Sequence, residues 1–463
     1  MDFNVDKSCL SSCRVLREAK AEQSVDCDIT LPDYCCDIKS VLCCSVEPGI
    51  SGVDITGNRI TVMGNAVVRL LYVGDDDKIT CFEQNYPVSK YVEMSALPQD
   101  AAMLVNAKTS YVNCRAVSPR RVDVHGCIAI IFSAVCCENS EVVSAATGEG
   151  LQLKQEPMQT CCAVGCVSKL FDMSEVIALS AESGKVKSVI HVNAMPAINE
   201  TKTVNNKILI KGDLLLTVSL CCEDGGIVKQ EHSMPINRIV ELEGLNENSI
   251  CDVKTDVSSL DVKLQADESG EMNRLDAAAV LSVSVYGYKE VVCAFVMDAY
   301  SLAGKVNLET NGVCCENLAA VLNETFVLSS PLDFSSNPAS KVLDYWCNDL
   351  TCVNTYDGEK LELSGAVTVC VLYADKDNKP CFSKHRLDYR HTKDISAECN
   401  ELRYEPHIAV SGVAVSGSGN ELNARVQFTA DGCAFTQNRL VAVTDIALTD
   451  GVQEKTDYPA ITV

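Results

Sequence analysis

Apolar and polar residues alternate with period two over long stretches of the chain. Ile60, Val62, Ala66, Val68, Leu70 and Tyr72 share one parity. Ile208, Ile210, Leu214, Leu216, Val218 and Leu220 repeat the pattern, as do Leu361, Leu363, Val367, Val369, Val371 and Tyr373. Side chains two apart point to the same face of a strand, so each set predicts a long strand with one face on a core. A glycine sits on that inward face in each copy, at Gly64, Gly212 and Gly365. A missing side chain there suits a bulge or the close approach of another backbone.

The three glycines lie 148 and 153 residues apart, a domain-sized period rather than a solenoid-sized one. Each strand is followed by turn chemistry: Gly74 with Asp75, Asp76 and Asp77, then Asp224-Gly225-Gly226, then Asp375 to Asn378. Returning strands follow, with Cys81-Phe82 matched by Cys381-Phe382. A further alternating strand closes each unit, through Val122 to Ile130, Leu275 to Val285 and Leu422 to Phe428. Many strands, frequent turns and few helical patterns predict a mainly β chain of three tandem β-sandwich-like domains with connecting strand or hairpin segments. The units are expected at 25–137, 174–290 and 325–432, with connectors at 138–173 and 291–324 and a C-terminal strand segment at 433–463. Residues 1–24 form an N-terminal extension, expected as a short helix with Cys9, Cys13 and Leu16 on one face.

Length agrees, since 463 residues hold about three domains. Charge narrows the partners. Acidic residues outnumber basic ones 63 to 39, for a net −24, and phosphate recognition needs clustered Lys and Arg, so no nucleic acid or anionic membrane is expected. The polar, acidic opening lacks the basic and apolar regions of a signal peptide. No segment approaches the roughly 18 apolar residues of a membrane span.

Cysteine is the unusual residue, at 27. Six adjacent pairs occur, among them Cys161-Cys162 and Cys314-Cys315, which lie 153 residues apart. Zinc sites favour Cys-x-x-Cys, which this chain lacks, and neighbours on a strand point to opposite faces. Three readings stand: reduced thiols serving as small apolar residues, intermolecular cross-linking, and metal binding. Cys161, Cys162, Cys314 and Cys315 are the candidate cross-linking thiols. Cys9-x-x-x-Cys13 and Cys162-x-x-x-Cys166 are the best local metal-binding spacings. Asp75, Asp76 and Asp77 lack calcium-loop spacing and read as a solvated hairpin tip. His125, two residues before Cys127, reads as a surface histidine. The glycine-rich stretch 411–419 lacks the Lys-Ser/Thr ending of a phosphate loop, and no Gly-x-Ser-x-Gly or His-Glu-x-x-His occurs. No catalytic, cofactor or metal residue is expected, and the chain is not read as an enzyme.

The run from Gln23 through Leu31-Pro32-Asp33, with Asp37-Ile38 after it, resembles the opening of SPOCS-domain proteins. The 60–72 strand, its acidic turn and Tyr86-Pro87-Val88 resemble the domain body, and Met234-Pro235-Ile236 repeats the last motif. Asp298-Ala299-Tyr300-Ser301 is similar to a motif that follows the domain. Cys36 stands where the family usually has a second proline, and units two and three lack the Leu-Pro-Asp opening. The family occurs in endospore-forming anaerobes. The resemblance implies a non-catalytic scaffold of the spore coat or envelope, made in the mother-cell cytoplasm and acting on protein partners such as other coat morphogenetic proteins. In the best-known member a LysM domain mediates contact with a coat morphogenetic ATPase, stage IV sporulation protein A. Here the sequence up to Val463 is strand-like, so the resemblance does not extend to that contact, which stays open. A self-assembling appendage or surface-layer subunit is the alternative, with self-association through thiols.

Overall fold

In the computed structural model the described residues run from 3 to 449, apart from 96, 99, 181–183, 268–269, 303 and 396–400. All of the regular structure among them is antiparallel strand. The first repeat consists of β1 (Asn4–Thr30), β2 (Ile38–Thr56), β3 (Arg59–Gly74), β4 (Ile79–Glu93), β5 (Ala102–Ser118) and β6 (Arg121–Thr147). The second has β7 (Leu151–Ala178), β8 (Val186–Val204), β9 (Lys207–Cys222), β10 (Ile227–Glu241), β11 (Ile250–Ala266) and β12 (Met272–Ser301). The third has β13 (Lys305–Asp333), β14 (Lys341–Tyr356), β15 (Lys360–Ala374), β16 (Pro380–Asp394), β17 (Leu402–Tyr404), β18 (His407–Ser418) and β19 (Glu421–Thr449).

Each repeat is a sandwich of two sheets. One sheet has the order β2-β3-β4, matched by β8-β9-β10 and β14-β15-β16. The other has β1-β6-β5, matched by β7-β12-β11, while in the third repeat β17 and β18 both pair with β19 beside β13. The alternating apolar residues of the central strands fill the sandwiches: Ile60 to Tyr72 meet Ile29, Val124 and Ile130, and Ile208 to Leu220 meet Leu275 and Val283. In the third, Val367 to Tyr373 meet Leu422 and Phe428. This is the three-sandwich, mainly β fold that the periodicity predicts.

The repeat glycines have one common cause. The strand before each central strand carries a register shift opposite it, at Ile50/Gly52, Ile198/Glu200 and Asn348/Thr351. A Cβ on Gly64, Gly212 or Gly365 would drive into the carbonyl oxygen of Gly49, Ala197 or Thr351 respectively. Asp77, Gly225 and Asn378, each 13 residues past its repeat glycine, take positive φ (62°, 88° and 59°) at the hairpin tips. Glycine, asparagine and aspartate tolerate that conformation best.

The expected N-terminal helix is corrected to strand. Residues 4–24 lie in β1, paired with β6 from Asn4↔Thr147 onward. The helical spacing of Cys9, Cys13 and Leu16 is overridden because β6 pairs with β1 along its whole length. The segments expected as connectors are formed by the ends of β6 and β12 and the beginnings of β7 and β13. Of the segment 433–463, residues up to 449 belong to β19, and the rest lie outside the described residues.

The outer and final strands of each repeat are therefore much longer than a sandwich needs. Their far halves form three two-stranded ribbons that pack together. Val142, Phe295 and Ala442, which occupy matched positions, share one buried cluster. Their neighbours Val143, Val296 and Val443 share the next. Consecutive residues of a strand normally face opposite ways, and a bulge after each pair, at Ser144, Met297 and Thr444, locally twists the ribbon. A second bulge, at Leu16, Val164 and Ala319, marks the passage from sandwich to stalk in all three repeats.

Candidate functional site

Two axial junctions hold the three repeats together, and buried polar groups and cysteines meet at both. The first lies where the outward faces of the β2-β3-β4 type sheets meet. Leu71 and Ile79 of the first repeat, Ile190 and Cys221 of the second, and Trp346, Cys370 and Leu372 of the third form one buried cluster. Cys370 thus sits on the parity that faces away from its own sandwich and is nonetheless wholly buried. The polar ties are few but specific. Lys229 Nζ of the second repeat lies 2.7 Å from Asp344 of the third, whose side chain is fully buried. Cys221 donates to the Ile79 carbonyl at 3.1 Å, and Lys187 to Thr80 Oγ1 at 3.2 Å. Within the first repeat Arg69, also buried, spans Glu47 and Glu83 at 2.8 Å each.

The second junction lies at the base of the stalk. The matched cross-strand pairs there are Cys13↔Cys137, Cys161↔Glu290 and Glu316↔Gln437. Cys13, Cys161 and Glu316 are all buried. Arg403 neutralises Glu316 through two hydrogen bonds, 2.9 Å to Oε1 and 2.8 Å to Oε2, and Gln437 donates a third at 2.9 Å. Burial would weaken the Arg403 guanidinium, but the Glu316 carboxylate more than restores its affinity for a proton. Thr160 of the second repeat donates to the Glu316 carbonyl at 3.0 Å, tying the ribbons across the axis. Tyr286, Tyr288 and Phe435 fill the space between, with Cys433.

The second and third repeats share a charged clasp beside this junction. His407 Nδ1 lies 2.9 Å from Asp431 and Nε2 3.0 Å from Asp256. Two carboxylates facing both ring nitrogens require the imidazolium. Burial opposes the charge, but the two hydrogen-bonded carboxylates prevail and push its pKa up to about 10.

The residues singled out from sequence disperse. Cys161 and Cys315 are buried in the stalk, and Cys162 and Cys314 are half-buried. Cys9 is exposed while Cys13 is buried, so that pair does not converge. Cys162 packs with Phe295 and Cys315, apart from the cluster that takes Cys166. Cys13 and Cys166, one half of each spacing, instead come together with Cys137, which the sequence did not single out. Its only signal was its place in an adjacent pair. Asp75 and Asp76 approach Cys36 closely enough for the three to share an ion. Both carboxylates are exposed, however, and Asp76 Oδ1 accepts from the Lys78 amide at 3.2 Å while Asp77 pairs with Lys39. The tip is a self-capped turn. His125 is exposed and pairs with Asp26 at 2.9 Å. Residues 411–418 of the glycine-rich stretch lie in β18, paired with β19.

The Leu31-Pro32-Asp33 opening acquires a physical role. Arg120 donates to the Pro32 carbonyl at 2.6 Å and to Asp37 Oδ1 at 2.7 Å, with further bonds to the Leu31 and Cys35 carbonyls at 3.3 Å each. One guanidinium thus gathers the whole opening loop over the end of the first sandwich.

These features define a tandem β-sandwich protein whose repeats are fused around a common axis. Residues 37–117 and 185–265 each match the family model described as the SipL SPOCS domain. The two matches span β2 to β5 and β8 to β11. The third repeat has the same strand plan through β14 to β18. No curated protein and no solved structure matches the chain. No helix among the described residues is long and apolar enough to cross a membrane.

Proposed function

We propose that this chain is a non-catalytic scaffold of endospore coat or spore envelope assembly, made in the mother-cell cytoplasm and working by protein–protein contact. The observation that carries the reading is the SPOCS match, found twice and in register with the repeat architecture. The fold suits the role. Strong axial packing makes three sandwiches one body, and the outer strands β4, β10 and β16 each pair on one side only. Such edges present unpaired backbone groups to which an extended partner segment adds. A net charge of −24 favours a basic partner surface.

A fluorescent fusion followed through sporulation tests this. The expected result is signal appearing only after sporulation begins and enclosing the forespore. Equal abundance in vegetative cells, spread through the cytoplasm, would overturn it.

A further inference from the structure

Cys13 and Cys137 face each other directly across the β1/β6 ribbon, with their Sγ atoms 2.8 Å apart. That is inside the contact distance of two unbonded sulfurs. Directly opposed residues in an antiparallel pair bring their Cβ atoms close to the separation a disulfide requires. A third thiol, Cys166, arrives from β7 of the second repeat and packs in the same cluster as both. It also lines a cleft of about 490 Å³ between the first and second repeats, whose walls include Asp100, Met103, Lys169, Ser258 and Ser282. Cys13 is buried and lines only a crevice of about 10 Å³ beside Tyr288 and Arg403, so of the three Cys166 is the thiol a molecule in the larger cleft meets.

We propose that Cys13, Cys137 and Cys166 form a thiol–disulfide exchange site, in which Cys166 takes up oxidising equivalents from a small-molecule disulfide and passes them to a Cys13–Cys137 bond across the stalk. The Cys166 thiolate attacks one sulfur of the incoming disulfide, forming a mixed disulfide and releasing one thiolate, which takes a proton from solvent. Cys137 gives up its proton to solvent and attacks Cys166 Sγ, expelling the second small thiolate. Cys13 then loses its proton and attacks Cys137 Sγ, and the electron pair of the broken bond returns to Cys166 as thiolate. In sum, one external disulfide is reduced to two thiols, Cys13 and Cys137 are oxidised, and Cys166 is regenerated.

The surroundings favour this order. As a thiol Cys166 donates to the Val135 carbonyl at 3.4 Å. As a thiolate it accepts from the Cys13 and Cys137 thiols and from the Ala102 amide, which hold its pKa down, whereas hydrogen bonding and burial push that of Cys13 up. Cys13 and Cys137 are directly opposed in the β1/β6 register with their sulfurs in contact, whereas Cys166 comes from another repeat, so the bond settles between Cys13 and Cys137. It would fasten strands 124 residues apart in sequence. The site belongs to the first two repeats alone, because the matched pairs in the others are Cys161 with Glu290 and Glu316 with Gln437.

The test treats the fully reduced, full-length chain with oxidised glutathione, blocks remaining thiols by alkylation, and maps peptides by mass spectrometry without reductant. The expected result is a Cys13–Cys137 bridge with Cys166 alkylated. Cys166→Ser should slow formation of the bridge at least about tenfold, and the double variant Cys13→Ser with Cys137→Ser should leave glutathione trapped on Cys166. Alkylated Cys13 and Cys137 after glutathione has oxidised other thiols of the chain would overturn the proposal. So would a bridge forming in Cys166→Ser at the wild-type rate, or the Cys13→Ser, Cys137→Ser double variant with no adduct on Cys166.

Discussion

The indole of Trp346 stacks on the imidazole of His191, with ring centroids 4.6 Å apart and planes 17° from parallel. The contact crosses from the third repeat to the second, and Phe382 flanks the indole at 5.6 Å. Trp346 is the single tryptophan of the chain, so its fluorescence reports on this junction alone. Emission should be blue-shifted in the native protein and move red when the repeats part. Trp346→Ala removes a large buried ring and should cost about 3–5 kcal/mol, read from denaturant unfolding.

Two histidines give the pH dependence opposite signs on either side of neutrality. Burial, with the Arg69 and Lys229 charges, holds His191 down at about 3 from its ordinary 6.5. The unfolded state binds that proton first, so the contribution present above pH 6.5 is lost as the pH falls towards 3. His407, raised to about 10, behaves in reverse: its contribution is full below 6.5 and is lost as the pH rises through 10. The thermal midpoint should therefore fall on both sides. His191→Phe should flatten the acid limb and His407→Gln the alkaline one, and a variant that leaves its limb unchanged would refute the assignment.

The repeat glycines should be intolerant for a local reason. Gly212→Ala pushes a methyl group into the Ala197 carbonyl, which the bulged strand cannot withdraw without breaking the pairing. The expected loss is about 1–3 kcal/mol or more. Gly312, in β13, has open space where its Cβ would stand, and Gly312→Ala should leave stability unchanged or raise it slightly. Equal effects at the two sites would remove the bulge argument.

Arg403→Met strands the Glu316 carboxylate, whose side chain is 2% exposed. Removing one partner of a buried pair typically costs about 3–5 kcal/mol. Combining it with Glu316→Leu should recover much of that loss, and calorimetry of the single and double variants measures it. An Arg403→Met protein as stable as the parent would show that the pair does not hold the stalk.

The sandwiches were legible in the residue pattern alone. Period-two alternation says which face of β3, β9 and β15 is buried, and the glycine at a matched offset marks the bulge. Both are local properties of a strand and one neighbour, and they recur three times. The adjacent cysteines were legible as small apolar residues but not as to why they are paired. In the stalk and at the first junction both faces of a strand are covered, as for the two buried residues Cys221 and Cys222, so alternation no longer separates inside from outside. It took the folded chain to show that the parity carrying Leu71 and Cys370 faces an axis rather than water, that residues 4–24 pair with β6, and that Cys13, Cys137 and Cys166 meet. Each of these is a contact between segments more than 100 residues apart or between repeats, where the physical cause is the surface another part of the chain presents. No pattern within a single strand records it.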